Sequence, residues 1–360
     1  MAMVNGADDW ALVVGIANYP RYGKTPAEPN NLRAPINDAI AMEKFLREQL
    51  GVKNITLLTS VQNNGAAWVE RPPRPVRDDI DQWITDLVVK SDENVNAGKG
   101  PQVGRRLYLY FSGHGLAPEK SKRALVTSNA LAKTFIDHVM ATAWQDNLSN
   151  SLFFSEYVLW MDFCSQAQVT LIPSLPPFQI TEALNPPAPQ FTACAAAFPL
   201  QAIELPLGPG GEFHSVFTYE LLRGLRGAAI NPATGGIRTR DLTAYLFKAV
   251  AAHIDKLPLP DRTGISREPD FLAADDMEFV SPATAPATAK PRSIRIAPDG
   301  GGTLPDGTSV RVFDHARSLI GTVVVHGGVL DQELPPGLYK LDWGQGSRLI
   351  EITDEAKLDA

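Results

Sequence analysis

Apolar and polar positions follow two rhythms along the first 160 residues. Short apolar runs, WALVVGI from Trp10, NITLLTS from Asn54, RLYLYFS over 106–112 and YVLWMDF over 157–163, have the near-continuous hydrophobicity of strands buried on both faces. Between them apolar residues recur at helical spacing. Pro35 opens one helix over 35–50, with Ile36, Ile40, Met42, Phe45, Leu46 and Leu50. Ile80, Trp83, Ile84, Leu87 and Val88 predict a second over 75–89, and a looser region over 135–152 holds a third. Strands alternating with helices predict an α/β fold with a parallel or mostly parallel sheet and helices on both faces.

After Cys164 the rhythm lapses. Residues 167–190 hold six prolines, no Lys or Arg and one acidic residue, Glu182, and predict a long surface loop. A further strand is expected over 191–197, and helices over 215–225 and 239–252. The Pro/Ala/Thr stretch SPATAPATAKP at 281–291 is a stiff polar spacer. It divides a domain of residues 1–280 from a small one of 292–360. In the latter, SIRI, SVRVF, TVVVH, LYKLDW and RLIEI alternate with period two and predict an all-β, sandwich-like module.

Composition narrows the function classes. Thirty-three Lys and Arg against 40 Asp and Glu give a net charge of −7, opposite to the basic footprint of a nucleic-acid binder. No apolar run reaches the roughly 18 residues of a membrane span. The acidic start MAMVNGADDW has no signal-peptide core, and only Cys164 and Cys194 occur, so a reducing cytoplasm is expected. Four ligands at zinc-finger spacing are missing, as are G-x-S-x-G, Walker A and H-E-x-x-H motifs.

In open α/β sheets, ligands bind beyond the carboxyl ends of the strands. Ser112-Gly113-His114-Gly115 closes the third predicted strand, Asp162-Phe163-Cys164-Ser165 the fourth, and Asn37-Asp38 opens the first helix. All three clusters therefore converge on one sheet edge. A thiol and an imidazole meeting there can serve as nucleophile and base, and the glycines beside His114 allow a substrate's backbone close, with a backbone N–H available to an oxyanion.

ALVVGIANY, INDA at 36–39, YFSGHG at 110–115, WMDFC at 160–164 and FTYELLRGLRG at 217–227 resemble the caspase-like cysteine peptidases, in particular the metacaspase and bacterial orthocaspase branch. The resemblance spans about residues 8–280, and the 50-residue step from His114 to Cys164 agrees with caspase spacing. It implies a caspase-type three-layer sandwich, Cys164 as nucleophile, His114 as general acid/base, and the backbone N–H groups of Gly115 and Cys164 as oxyanion hole. The chain departs from the family's Asp-x-Cys-His-Ser-Gly, since Ser165-Gln166-Ala167 follow the cysteine.

The resemblance also implies a first pocket built from Asp38, Ser112 and Asp162. Two carboxylates and a hydroxyl suit a guanidinium or ammonium, which predicts an endopeptidase cutting after Arg or Lys. An Asp-specific protease using Arg33 and a silent scaffold whose β-module binds a partner are the alternatives. A loop over 167–190 without Lys or Arg would escape self-cleavage, leaving Lys120, Lys122 and Arg123 as sites. Glu119 is the one acidic residue in 116–135, too few for calcium, so no metal or other cofactor is expected. By family analogy, a bacterial signalling or defence role under a regulatory partner, and a monomer, are further expectations.

Overall fold

The computed structural model describes residues 6–23, 29–60, 73–131, 136–168, 171–178, 186–281, 293–295, 304–313, 319–326, 329–331 and 337–352. Contacts divide the chain into two units, one of Asn5–Glu220 with Val250–Met277, the other of Leu221–Ala249 with the chain from Glu278 on and the first few residues. Of the spacer at 281–291, only Ser281 lies within the described residues.

The larger unit is built on a six-stranded sheet. Its strands are β1 (Trp10–Gly15), β2 (Asn54–Thr59), β3 (Gly104–Ser112), β4 (Phe154–Asp162), β5 (Gln190–Cys194) and β6 (Asp270–Ala274), in the order β6-β5-β4-β3-β1-β2. All neighbours are parallel except β5 and β6. This is the mixed α/β, mostly parallel arrangement that the alternating rhythm predicts.

Both faces of the sheet are covered, and the period of two sorts its side chains between them. Leu12 and Val14 of β1, Leu107, Leu109 and Phe111 of β3, and Tyr157, Leu159 and Met161 of β4 form one core. Ile80, Ile84 and Leu87 of α2 (Arg77–Asn96) and Trp144 and Leu148 of α3 (Ala141–Ser149) complete it. Intervening residues such as Val13, Tyr108 and Trp160 are equally buried and point to the opposite face. There α1 (Pro35–Glu48) packs on β1, β2 and β3, burying Ala39, Met42, Phe45 and Leu46.

Three elements differ from their sequence patterns. Helix α2 outlasts its apolar periodicity, because polar side chains hold its last turns: the Ser91 hydroxyl donates to the Pro101 carbonyl (2.6 Å) and the Asn94 amide to that of Gln102 (2.7 Å). The edge strand β6, which opens on an aspartate and pairs antiparallel, carries too little apolar signal to predict. The stretch over 167–190 is no plain surface loop: Gln166–Ala167 pairs with Gly115–Ala117, Leu171 and Phe178 pack on the core, and the Ser174 N–H donates to His138 Nε2.

Two helices, α4 (Val216–Arg223) and α5 (Thr239–Ile254), run across the division between the units. In the smaller unit, Leu319–Val324, Ser309–Phe313, Gly337–Asp342 and Ser347–Ile352 form a four-stranded antiparallel sheet, and Ser293–Arg295 pairs with Val329–Asp331. Val310, Val312, Tyr339 and Leu341 bury one face with Leu304 and Val325, as the alternation predicts for an all-β segment.

Candidate active site

Register places the polar clusters together. Gly15 pairs with Ser112, and Ser112 with Asp162, so the turns after β3 and β4 leave the sheet side by side. Both enter one cleft of about 810 Å³, whose lining includes Ser112, His114, Gly115, Asp162 and Cys164. Its lining also includes Tyr22, Asn30, Ala34 and Pro35 from the segment leading into α1, and Gln201, Ala202, Ile203, Glu204 and Ser215.

The turn residues are dictated by space. A Cβ on Gly113 would run into the Tyr19 hydroxyl, and one on Gly115 into the Phe163 ring and the Cys164 carbonyl. Nothing larger than glycine lets the two turns approach this closely.

The segment after β1 holds His114 at its backbone, ring face and Nε2. Its backbone N–H donates to Tyr19 Oη (2.8 Å), and that hydroxyl donates onward to the Val126 carbonyl (3.2 Å). The imidazole lies against the Tyr19 and Tyr22 rings, with centroids 4.6 and 5.4 Å away. Its Nε2 is 2.7 Å from the Asn30 carbonyl. A carbonyl only accepts, so Nε2 carries the proton and Nδ1 is left with the basic lone pair. Burial lowers the imidazole pKa, against an opposing effect of the Asn30 carbonyl.

Burial also pushes the Cys164 thiol up to about 11, with the Ala202 backbone opposing and the charge of Asp162 adding to the rise. Both directions favour the thiol at Cys164 and the neutral imidazole at His114 at neutral pH. The backbone N–H of Cys164 is engaged by no described residue. Because His114 O already accepts from Val126 N in the hairpin, the alternation of an antiparallel ladder turns the Gly115 N–H away from that strand.

The three pocket candidates have different fates. Asp162 lines the cleft and accepts hydrogen bonds from Ser215 Oγ (2.6 Å), Thr218 Oγ1 and the Tyr110 hydroxyl (3.5 Å). Burial raises its pKa to about 7, with the Asp38 charge adding to the rise. Ser112 lies beside it in the wall. Asp38 is fully buried outside the cleft lining, its oxygens taking His214 Nδ1 (2.6 Å) and the Ser215 N–H (3.0 Å). Burial raises Asp38 to about 6, and the hydrogen bond to Asp38 raises His214.

Arg33 is outside the lining as well, its guanidinium stacked 3.4 Å above the Phe213 ring. Cys194 is a buried β5 residue against Ser165 Oγ (3.4 Å). Arg123, expected as a self-cleavage site, is instead fully buried, its guanidinium bound to Asp270 (2.7 Å) and the Lys120 carbonyl (2.7 Å). Lys120 is exposed and Lys122 partly so. Among the described residues no cluster of three or more metal-ligating side chains occurs, and no helix is long and apolar enough to cross a membrane.

Sequence reading passed over Tyr19, Tyr22, Asn30, Glu204, Ser215 and Thr218. Tyr19 closes the quoted ALVVGIANY run, and two tyrosines so close after a strand were a usable signal.

Residues 10–143 match the family model of the metacaspase, peptidase C14 domain, a span that includes His114 and stops short of Cys164. A curated probable protease of a Desulfuromonadales bacterium is 25% identical over 231 residues, 61% of this chain and 26% of that protein. The chain thus spans about a quarter of the length of the curated relative it matches. Among solved structures, a Geobacter sulfurreducens protein aligns over 73% of this chain and 92% of its own at 16% identity (TM-score 0.39). The Arg-specific cysteine proteinase gingipain R aligns over 97% and 68% at 12% identity (TM-score 0.34).

Proposed function

We propose that this chain, whose residues 10–143 match the metacaspase, peptidase C14 domain, is a caspase-like cysteine endopeptidase that cuts after Arg or Lys with a Cys164–His114 dyad. The observation that carries the reading is the shared cleft: the thiol, the imidazole with its free Nδ1 and the Asp162 carboxylate all line it.

As substrate binds, His114 Nδ1 takes the Cys164 proton while Sγ attacks the scissile carbonyl carbon. The N–H groups of Cys164 and Gly115 receive the developing oxyanion. The imidazolium, steadied by the Asn30 carbonyl at Nε2, then protonates the leaving amine, and a thioester on Cys164 remains. Water, deprotonated by His114, hydrolyses it. Asp162 supplies the acidic wall for the basic side chain, whereas Arg33, laid on Phe213, does not favour an acidic one. We propose a monomer acting in a reducing compartment without calcium, its substrates chosen with the help of a regulatory partner.

Matched fluorogenic peptides ending in Arg, Lys or Asp test this. Cleavage after Arg or Lys by the wild type and none by Cys164→Ala is expected. Cleavage after Asp alone, or Arg cleavage that survives Cys164→Ala, overturns it.

A further inference from the structure

The basic-specific cleft needs carboxylates free to meet a cation, and those singled out by sequence are largely occupied. Asp38 lies outside the lining with both oxygens bonded to His214 and Ser215. Asp162 accepts from three hydroxyls. A third carboxylate, Glu204, also lines the cleft.

Its direction follows from the local strand pattern. Glu204–Leu205 pairs with His214–Ser215, Glu204 lying opposite Ser215. Ile203 and Leu205, its neighbours on either side, turn into a hydrophobic cluster with Val216, Val250 and Ile254. By alternation Glu204 turns the other way, toward the start of α1. There the Arg33 N–H (3.0 Å) and the Ala34 N–H (3.1 Å) hold the two carboxylate oxygens. Both donors are backbone groups that carry no net charge; the Arg33 N–H is shared with Oε1 (3.3 Å), and Oε2 keeps a further lone pair. The negative charge of Glu204 also raises Asp38, Asp162 and Cys164, burial being the largest cause for each, so it stands within electrostatic reach of them all. Among the described residues lining the cleft there is no Lys or Arg to neutralise it.

We propose that Glu204 is a specificity-determining residue that receives the substrate's basic side chain together with Asp162. The assignment rests on the Arg/Lys reading above and replaces Asp38 with Glu204 as the second carboxylate that touches substrate. A guanidinium shared by the two carboxylates makes charge-assisted bonds to both, while Asp38 acts from behind by holding Ser215 and His214. The same geometry favours a fork-shaped guanidinium over the single ammonium of lysine.

The test is binding of Nα-acetylarginine amide and its neutral citrulline counterpart to Cys164→Ala protein, alone and combined with Glu204→Gln or Asp38→Asn. Glutamine keeps an oxygen for the Arg33 and Ala34 N–H groups, so the support of α1 survives while the charge goes. Expected is a loss of tenfold or more in arginine binding for Glu204→Gln, unchanged citrulline binding, and less than threefold loss for Asp38→Asn. Arginine binding indifferent to Glu204→Gln, or lost only with Asp38→Asn, overturns the assignment. If wild type still cuts after Arg in that event, basic specificity stands and only Glu204 is wrong. Equal binding of arginine and citrulline amides, with no cleavage of basic peptides, sinks both.

Discussion

Strands β3 and β4 bury charge at both of their ends, and the two ends treat it differently. At the amino end Arg106 is the register partner of Glu156 and bonds to it at 2.6 Å, Arg105 reaches Asp9 at 2.5 Å, and Tyr108 caps the group. At the carboxyl end the corresponding partners are Ser112 and Asp162. There Asp162 faces hydroxyls, Asp38 an imidazole and a backbone N–H, and Glu204 two backbone N–H groups. A charge that serves only the fold arrives with its counter-charge on the next strand. On the proposed reading Asp162 and Glu204, held by hydroxyls and backbone N–H groups that carry no net charge, are left for a counter-charge from outside. Burial raises Asp9 even against two guanidinium groups. With none facing Asp162, it is raised to about 7.

The sharpest contrast is between activity and stability. Cys164→Ala or His114→Ala should lower hydrolysis of an Arg peptide by about 10³-fold or more, with a melting temperature close to wild type. Arg106→Ala should do the reverse. It leaves Glu156 short of a partner and costs on the order of 2–3 kcal/mol, below the full buried-pair penalty because Glu156 is partly exposed and Arg105 remains near. Peptide kinetics beside denaturant unfolding check both, and a destabilised but fully folded-state-active Arg106→Ala is the expected outcome.

A second contrast lies in pH. Asp162 must be ionised to attract a basic residue, so kcat/KM for an Arg peptide should fall as pH drops through about 7. A citrulline peptide should lack that limb, as should Asp162→Asn. Stability should run the opposite way. A carboxyl whose pKa is raised on folding binds its proton more tightly in the native state, so unfolding is harder below the native pKa and stability declines as pH rises from about 4 to about 7. His214, also raised, has the same sign. Thermal melts across that range should show the decline, and Asp162→Asn should flatten it.

The smallest effect concerns self-cleavage. On the basic-specific reading, cuts should appear after exposed Lys120 or partly exposed Lys122 and not after buried Arg123. Intact-mass analysis of stored protein, with Cys164→Ala alongside, checks this, and a cut within 167–190 counts against basic specificity.

The comparison also explains what could be read from sequence. Strands β1, β3 and β4 are long, apolar and parallel, so their ends, and with them His114, Cys164, Ser112 and Asp162, were foreseeable as one edge. Glu204 was not, since it sits in a two-residue strand whose partner lies beyond a glycine-rich turn. Thr218 and Ser215 looked like ordinary helix-start residues, and only the tertiary fold turns their hydroxyls onto Asp162. Asn30 contributes a carbonyl, which any residue could supply, so its identity held no signal.

One consequence reaches beyond hydrolysis. With the Cys164 thiol pushed up to about 11, the thiolate is a small minority at pH 7. Peroxide and simple alkylating agents react with that form, so the nucleophile should be chemically quiet until an occupant of the cleft draws its proton to His114. The protein would then tolerate an oxidative burst that inactivates peptidases resting as ion pairs. Reagents that must find a ready-made anion should label it slowly, and those that first dock as a basic peptide should label it fast.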